Sequence, residues 1–460
     1  NPTPSSLKTA PLFSFRRGTT PLLTFLHPHG QPDPLIYVQP FITAVIKLGA
    51  SFSSTPTTLG PPPLVGMSCR LSSRSLSRLI SESAGKHVPF GASGSGHYSS
   101  ATKGCFDVIR RCEPLALASL HEVLARRKEL SIPPDTPFHF ADFGTADGGT
   151  SLPLFRTLVH AVRSAEPLSP IVVSYEDQPG NDWQSLFHLT QGTLPSSPPG
   201  YLDGSVDEVY VVASGTSFYN QCFPSGTIDF AFSATAMHWL TRLPAPIPDA
   251  LHSACTQHAP TREAFAAQAA EDWRRIMLMR ARELRPGGQM VVANFAKDQA
   301  GRFLGQSAPR VKESMHHTFS ELWLEVAGPE VHHATNFPNE YRSLAECTAP
   351  FKDPADPVYQ AGLRLVGAEE GLVECPFHTE WVRGEAGDDA AAYAANFVPT
   401  TRTWSNSTFV SGALAAGKTQ QEADALTDEM FARYTERVAR APADHAMDYV
   451  HSYVQIAKEQ

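Results

Sequence analysis

An aspartate and a glycine-rich turn follow one apolar run of the sequence, and a second aspartate follows another. Asp142 lies in HFADFGTADGGTSLPLF (139–155), just before a turn that contains Gly144 and Gly148. Because glycine has no Cβ, such a turn lets the backbone approach a ligand closely. The next apolar run, IVVSYED, ends in Asp177, whose carboxylate can accept hydrogen bonds from both hydroxyls of a ribose. These residues predict a nucleotide-like ligand.

The turn lacks the patterns of the two common phosphate sites. Residues 144–149 are GTADGG, which is neither the GxGxxG of a dinucleotide site nor part of a P-loop with its GK[ST]. A dehydrogenase is therefore disfavoured. S-adenosylmethionine (SAM) fits better, because it has a ribose, an ammonium group that a carboxylate can pair with, and no phosphate. The segment LRPGGQMVV (284–292) also resembles the helix, PGG turn and strand of SAM-dependent methyltransferases.

Alternating strands and helices are expected to position these residues. Strands are predicted at 138–144, 171–177, 206–215, 227–234 and 289–296, and helices at 150–164 and 262–285. This alternation predicts an α/β fold with a doubly wound, mostly parallel sheet and ligands at the carboxyl ends of its strands.

Strands and helices no longer alternate in residues 300–400. This segment is predicted to be mainly helical and is expected to form a cap over the site. DDAAAYAANF (388–397) and residues 419–440 are predicted to be helices. VECPFHTEWVRG (373–384) is predicted to form one or two late strands.

The head of the chain differs in composition from the rest. Residues 1–81 have seven bases and one acid, whereas residues 82–460 have 30 bases and 45 acids. MSCRLSSRSLSRLIS, which starts at Met67, resembles an organelle transit peptide. We predict a disordered or transit-like extension (1–85) and one methyltransferase domain (86–460). A plain tail or a true start at Met67 is the alternative, and we expect a cytoplasmic protein unless the extension targets an organelle.

Composition excludes several classes of partner and ligand. A net charge of −9 gives no reason to expect a nucleic-acid partner. The apolar run at 35–48 is too short to span a bilayer, so no membrane partner is expected. Seven scattered cysteines without a CxxC pair indicate reduced thiols rather than disulfides. The pairs His316-His317 and His332-His333 lack the spacing of a helical metal site, and no metal is predicted.

Four ordered motifs resemble the SABATH family of SAM-dependent carboxyl methyltransferases. ADFGTADGG is similar to its ADxGxSxGxN, EDQPGNDWQSLF to NDLPxNDFNxLF, TSFYNQCFP to GSFYxxLFP, and SATAMHWLTRLP to SSxxLHWLSxxP. The resemblance covers roughly residues 93–440. It implies a Rossmann-like class I methyltransferase with a seven-stranded sheet and a helical cap at about 300–400. It also implies SAM as cofactor and, because the family often forms dimers, a homodimer as an open alternative.

The resemblance implies roles for individual residues. Asp177 would hold the ribose, and His238 and Trp239 would contact the acceptor carboxylate and carry catalysis. The residues that would bind SAM are Tyr98, Asp142, Gly144, Gly148, Asp177, Gln178, Ser217 and Phe218. Those that would bind the acceptor are Tyr98, Cys105, Met237, His238 and Trp239.

The chain departs from the family pattern on the acceptor side. Cys105 aligns with a glutamine that helps to hold the acceptor carboxylate, and Thr235 stands where an aromatic residue is frequent. Thr150 replaces an asparagine after the glycine turn. Only Asn336 remains of a family metal site, so magnesium is not predicted.

These residues predict transfer of a methyl group from SAM to the carboxylate of a small hydrophobic or aromatic acid, which gives a methyl ester. A carboxylic acid, with a pKa of about 4, is already ionised at neutral pH and needs no general base. The indole N–H of Trp239 and an N–H of His238 can both donate to it. Two alternatives stay open, namely N- or phenol-O-methylation with His238 as base, and a SAM-binding pseudoenzyme. His238 as a core histidine and Trp239 as core packing are the structural alternatives.

Overall fold

The computed structural model describes residues 89–306, 311, 314–385 and 389–459. The extension predicted for residues 1–85 lies outside the described residues. Eight strands are β1 Phe138–Phe143, β2 Ile171–Glu176, β3 Val209–Ser214, β4 Ile228–Ala234, β5 Leu284–Lys297, β6 Arg342–Ser343, β7 Leu363–Val373 and β8 Tyr449–Lys458. The α-helices are α1 His97–Ala101, α2 Lys103–Glu129, α3 Leu152–Ala165, α4 Trp183–Thr190, α5 Ala259–Glu283, α6 Met315–Ala334, α7 Leu344–Thr348, α8 Pro357–Gln360, α9 Pro376–Val382, α10 Ala390–Ala415 and α11 Gln420–Arg440.

The strands form one sheet in the order β3-β2-β1-β4-β5-β8-β7, with the two-residue β6 paired to β5. Strands β1 to β6 pair in parallel, and β8 is antiparallel to both of its neighbours. The predicted α/β class with a doubly wound, mostly parallel sheet is confirmed. The strand count is eight rather than seven because β6 adds a short pairing. The carboxyl ends of β1, β2 and β4 meet at one edge, where a ligand crevice is expected.

The five predicted strands are all present, and the details differ where Gly and Pro are involved. The PGG turn follows α5 as predicted, but Pro286, Gly287 and Gly288 belong to β5 rather than to a separate turn. They lie where the pairing register of β4 and β5 shifts between Ile228 and Phe230. A glycine at Gly287 is required there, because its φ is +83°.

The prediction of strands at 373–384 is wrong. Strand β7 ends at Val373, and Pro376 begins helix α9, where a proline in the first turn is tolerated because its missing N–H has no partner to lose. Strand β8 was not predicted, because His451 and Ser452 interrupt its apolar run. Both are buried, since β8 lies between β5 and β7 and is covered on both faces.

Helices α6, α10 and α11 pack together through aromatic side chains. Phe319 of α6 meets Phe409 of α10 and both Phe431 and Tyr434 of α11, with ring centroids 5.2 to 6.2 Å apart. This helical group extends to Arg440, beyond the predicted cap at 300–400. Strand β7 lies within residues 300–400 but belongs to the sheet. The division into a sheet domain and a cap stays a prediction. No helix in the described part of the chain is both long and apolar enough to cross a membrane.

Candidate active site

A cavity of about 380 Å³ lies at the carboxyl edge of the sheet. This volume is in the range of small-molecule sites. Nine of the twelve residues predicted for the two ligands line it, namely Tyr98, Cys105, Gly144, Asp177, Gln178, Ser217, Phe218, His238 and Trp239. Residues that are up to 141 positions apart in the chain therefore meet in one cavity.

Asp177 lies just after β2, with its carboxylate fixed by the backbone. Its two oxygens accept hydrogen bonds from Gln178 N at 2.7 Å and from Ala146 N, in the glycine turn, at 2.8 Å. Each oxygen has lone pairs left for a ligand hydroxyl. Burial raises the pKa of Asp177 to about 6, and these two N–H donors oppose the rise. The side chain is therefore mostly an anion at neutral pH and is suited to accept from a diol.

Gly144 closes the turn beneath Asp177. Its N–H donates to the Glu176 carbonyl at 2.9 Å, and its φ of +70° favours glycine. A Cβ at this position would collide with the Cβ of Ala236. The loops after β1 and β4 therefore touch directly beside the cavity, and no larger residue fits between them.

Two predicted SAM ligands, Asp142 and Gly148, lie in the turn and do not line the cavity. Asp142 is 3% exposed, and its carboxylate accepts from the hydroxyls of Ser151 at 2.6 Å and Thr145 at 3.1 Å. Burial raises its pKa to about 6. Gly148 has a φ of +72° and packs against Leu186. Both residues therefore stabilise the turn. Asp142 does so through its hydrogen bonds to Thr145 and Ser151, and Gly148 through its positive φ.

Two carboxylates, of Asp147 and Asp182, bind the segment around Tyr98 through hydrogen bonds from Ser99 and Gly94. Asp147, a residue of the glycine turn that was not predicted, accepts from Ser99 N at 2.8 Å and also from the Ser99 hydroxyl. Asp182, in the NDW motif, caps α4 and accepts from Gly94 N at 3.1 Å. These bonds hold helix α1 over the turn and place Tyr98 in the cavity wall.

The loop after β4 presents His238 and Trp239 to the cavity and buries Met237 behind them. Met237 was predicted to contact the acceptor, but its side chain is 0% exposed and belongs to the core around Ile276. Its carbonyl accepts from Arg342 Nη1 at 2.8 Å. The side chains of Met237 and His238 therefore face opposite sides of the loop, and Met237 supports the loop without touching the ligand space.

Aromatic rings surround His238. Phe295 of β5 meets its ring edge-on at a centroid distance of 4.9 Å, Trp239 lies at 5.3 Å, and Tyr341 lies at 6.0 Å. The His238 carbonyl accepts from Glu340 N at 3.0 Å. The imidazole is therefore buried and held in place on the cavity wall.

Four further aromatic residues of the cavity wall were not predicted from the sequence. Phe295 comes from β5, Trp404 from α10 and Tyr449 from β8, and Tyr341 precedes β6. Tyr341 lies in NFPNEYRSLAE (336–346), a segment outside the four motifs that loosely resembles a proline–tyrosine segment of the family. The others lie far apart in the chain, and nothing in their local sequence separates them from core residues.

Cys105 and Thr235, two of the departures from the family pattern, are neighbours in the structure. Both lie close enough to Tyr98 to influence the pKa of its hydroxyl. Burial raises the pKa of the Cys105 thiol to about 11 and raises that of the Tyr98 hydroxyl well above its usual value. Both groups are therefore neutral at physiological pH, and Cys105 lacks the thiolate that a nucleophile needs.

Charge is sparse on the cavity wall. Of the described lining residues, Asp177 and Arg275 are the charged ones. Arg275 donates to the Tyr219 carbonyl and to Asn220 Oδ1, both at 2.9 Å. Within the same described ranges, no group of three or more His, Cys, Asp or Glu side chains is placed to hold a metal ion. The cavity wall thus contains the carboxylate of Asp177, the hydrogen-bonded guanidinium of Arg275 and a side lined mainly by aromatic rings.

Residues 91–327, just over half of the chain, match the family model described as "SAM dependent carboxyl methyltransferase". An O-methyltransferase, acrG, of Aspergillus aculeatus is 27% identical over 256 residues, which cover 55% of this chain and 65% of that protein. Loganic acid O-methyltransferase of Catharanthus roseus is 26% identical over 214 residues, with 43% and 54% covered. The chain thus matches between 54% and 65% of the length of these two relatives.

A solved structure shows the fold. The structure titled "Loganic acid methyltransferase with SAH" aligns with a TM-score of 0.62 at 18% identity. The alignment covers 81% of this chain and 99% of that one. The predicted Rossmann-like methyltransferase architecture is therefore confirmed.

Proposed function

Because the chain belongs to the SAM-dependent carboxyl methyltransferase family, we propose that it transfers the methyl group of SAM to the carboxylate of a small hydrophobic or aromatic acid. The product is a methyl ester. One observation carries this proposal: a single cavity joins the Asp177 carboxylate to an aromatic half that contains His238 and Trp239. The first half suits a ribose, and the second suits an apolar acid.

The residues on the Asp177 side fit SAM. Asp177 can accept from the ribose hydroxyls, and Gln178, Ser217 and Phe218 line the cavity beside it for the adenine. No lysine is among the described lining residues, so this side has no free ammonium for a pyrophosphate. When bound, SAM supplies an electrophilic methyl group on a sulfonium sulfur.

The acceptor half needs no general base. A carboxylate is already an anion at neutral pH, and the raised pKa values of Tyr98 and Cys105 keep both groups protonated. The N–H groups of Trp239 and His238 are donors that orient a carboxylate oxygen. Orientation of this kind contributes on the order of 7–11 kcal/mol at best. The surrounding rings exclude water, which favours a reaction that neutralises opposite charges.

Calorimetry with SAM and S-adenosylhomocysteine (SAH), followed by a labelled-methyl screen of acids, phenols and amines, tests the proposal. We expect micromolar binding of both nucleosides and label that mild alkali releases as methanol, because esters hydrolyse and aryl ethers or N-methyl groups do not. Alkali-stable label would point to phenol or nitrogen transfer. SAM binding without transfer to any compound would indicate a pseudoenzyme, and no binding would overturn the proposal entirely.

We also propose a homodimer and a cytoplasmic location, which rest on the resemblance and on the sequence composition, respectively. Light scattering during size-exclusion chromatography tests the oligomer. A mass near 100 kDa, twice the 50.0 kDa of the chain, is expected for the dimer. Microscopy of tagged full-length and Met67-start chains tests the location.

A further inference from the structure

Arg275 of α5 supplies a positive charge to the cavity wall. Its side chain is half-buried and lines the cavity. Nε donates to the Tyr219 carbonyl and Nη2 donates to Asn220 Oδ1, both at 2.9 Å. Because a guanidinium has five N–H donors, these two bonds leave three N–H groups, including both on Nη1, for a ligand.

Neighbouring arginines of the same helix are paired with carboxylates. Arg274 donates to Asp356 at 2.7 Å, and Arg280 donates to Glu283 at 2.6 Å. Arg275 instead donates to two neutral oxygens, and the part of the chain that the structure describes places no carboxylate within ion-pair distance of it. A partly buried guanidinium without a counter-ion suits an anion, and its planar fork matches a carboxylate through two parallel hydrogen bonds.

Two contacts place Arg275 beside the loop that carries the proposed acceptor residues. Tyr219 accepts from Arg275 through its carbonyl and donates through its hydroxyl to the carbonyl of Trp239. Thr241, two residues after Trp239, donates through its N–H at 2.9 Å to Asp272, which lies one helical turn before Arg275. The interval from Arg275 to the backbone of Trp239 is therefore spanned by one tyrosine.

An acid with one carboxylate cannot use both anion contacts of this cavity. The carboxylate that reacts must lie near His238 and Trp239, where it leaves the guanidinium of Arg275 without a counter-ion. A second carboxylate, separated from the first by an apolar body about as long as an aromatic ring, would reach Arg275 along the same cavity.

We propose that Arg275 binds a second carboxylate of the acceptor, so that the preferred substrates are dicarboxylic acids. This inference rests on the proposed function and deepens it by naming the substrate class. One carboxylate oxygen forms the new bond to the methyl carbon, the bond from that carbon to the sulfonium sulfur breaks, and SAH leaves. The other carboxylate stays ionised against Arg275, and the product is a monomethyl ester.

The substitution Arg275→Gln removes the charge and keeps a polar side chain, whereas Arg275→Lys keeps the charge and removes the fork. The matched control is Arg274→Gln, because Arg274 is adjacent in the chain, is half-exposed and does not line the cavity. The probes are pairs of acids in which a methyl group replaces one carboxylate, namely terephthalate with para-toluate and suberate with octanoate. KM and kcat are measured for both members of each pair, together with SAH affinity and melting temperature.

In the wild type we expect a lower KM for the diacid than for the monoacid of each pair. Arg275→Gln should raise KM for the diacids on the order of 10- to 100-fold, as for the loss of hydrogen bonds between charged groups. KM for the monoacids and SAH affinity should not change. Arg275→Lys should have an intermediate effect, and Arg274→Gln should match the wild type.

A wild-type KM that is no lower for the diacids, or an equal rise for both members of a pair in Arg275→Gln, would overturn the proposal. A loss of SAH affinity in Arg275→Gln would also overturn it, because the guanidinium would then bind the carboxylate of SAM. If Arg275→Gln does not fold, an unchanged ratio of the two KM values in Arg275→Lys contradicts the proposal. Wild-type protein that binds SAH but methylates no carboxylic acid would instead overturn the proposed function, whereas methylation of monoacids alone would overturn only this inference.

Discussion

The guanidinium of Arg342 donates a 2.8 Å hydrogen bond to the carbonyl of Met237, the residue directly before His238. Its other nitrogens donate to the carbonyl of Ala269 on α5 at 2.7 and 3.0 Å. Arg342 is buried, and its side chain lies over the ring of Trp273 at 5.6 Å. One planar cation therefore ties the loop that presents His238 to the helix beneath it.

We expect Arg342→Lys to misplace this loop. A lysine cannot reproduce the fork of donors, so at least one carbonyl loses its partner, at a cost of about 2–3 kcal/mol of unfolding free energy. A shift of about 1 Å at the reacting groups lowers kcat by roughly 100-fold. Urea unfolding and steady-state kinetics measure both effects. The control is Arg274→Lys on the same helix α5, where a half-exposed guanidinium pairs with the buried carboxylate of Asp356. Equal losses in the two variants would contradict the positioning role.

SAM affinity should depend on pH through Asp177. The pKa of Asp177 is raised to about 6, so the carboxylate is ionised at pH 7.5 and largely protonated at pH 5. A protonated acid is a weaker acceptor for ribose hydroxyls. The dissociation constant for SAH should therefore rise as pH falls through 6. Calorimetry between pH 5 and 8 measures this rise.

Two asparagine variants separate the contribution of Asp177 from that of its neighbour. Asp177→Asn should weaken SAH binding at pH 7.5 on the order of 10-fold or more and abolish most of the pH dependence. Asp142→Asn is the matched control, because the pKa of Asp142 is also raised to about 6 but its side chain does not line the cavity. If the pH dependence survives in Asp177→Asn and disappears in Asp142→Asn, the titrating group is Asp142 and the prediction is wrong.

The sequence was sufficient for the half of the site that local pattern encodes. Asp177, Gln178, His238 and Trp239 follow strands whose apolar runs are continuous, so motif and strand end could be recognised together. The orientation of Met237 could not be predicted in this way. It lies in a loop, where side chains do not alternate with a regular period, so the sequence does not indicate whether Met237 or His238 faces the cavity.

The acceptor wall could not be predicted for a different reason. Phe295, Trp404 and Tyr449 come from three elements that only the tertiary fold brings together. Strand β8 was not recognised, because it is covered on both faces and contains buried His451 and Ser452, which resemble surface residues in the sequence. Without β8 placed, Tyr449 had no position relative to Cys105.

Gly144→Ala should be far more damaging than a change at a comparable glycine. Alanine at a φ of +70° costs about 1–2 kcal/mol of backbone strain, and its Cβ would also collide with Ala236. Gly226→Ala is the control, since its φ is +66° and no atom lies within 4 Å of an added Cβ. Urea unfolding should show a loss of about 1–2 kcal/mol for Gly226→Ala and roughly twice that for Gly144→Ala, with SAH binding impaired only in the latter. Equal losses would mean that the loops after β1 and β4 separate at little cost.

The fastening of α1 should control how long SAM stays bound. Ser99 donates to buried Asp147 through both its N–H and its hydroxyl, and this contact holds the segment with Tyr98 against the glycine turn. Ser99→Ala removes the hydrogen bond from the hydroxyl and should raise the SAH dissociation rate about 5- to 10-fold. The effect is limited because the backbone N–H of residue 99 still donates to the Asp147 carboxylate. Ser100→Ala is the control, because Ser100 is exposed and its hydroxyl bonds only within α1. Stopped-flow displacement measures both rates, and a dissociation rate in Ser99→Ala equal to that of the wild type would show that α1 does not limit release.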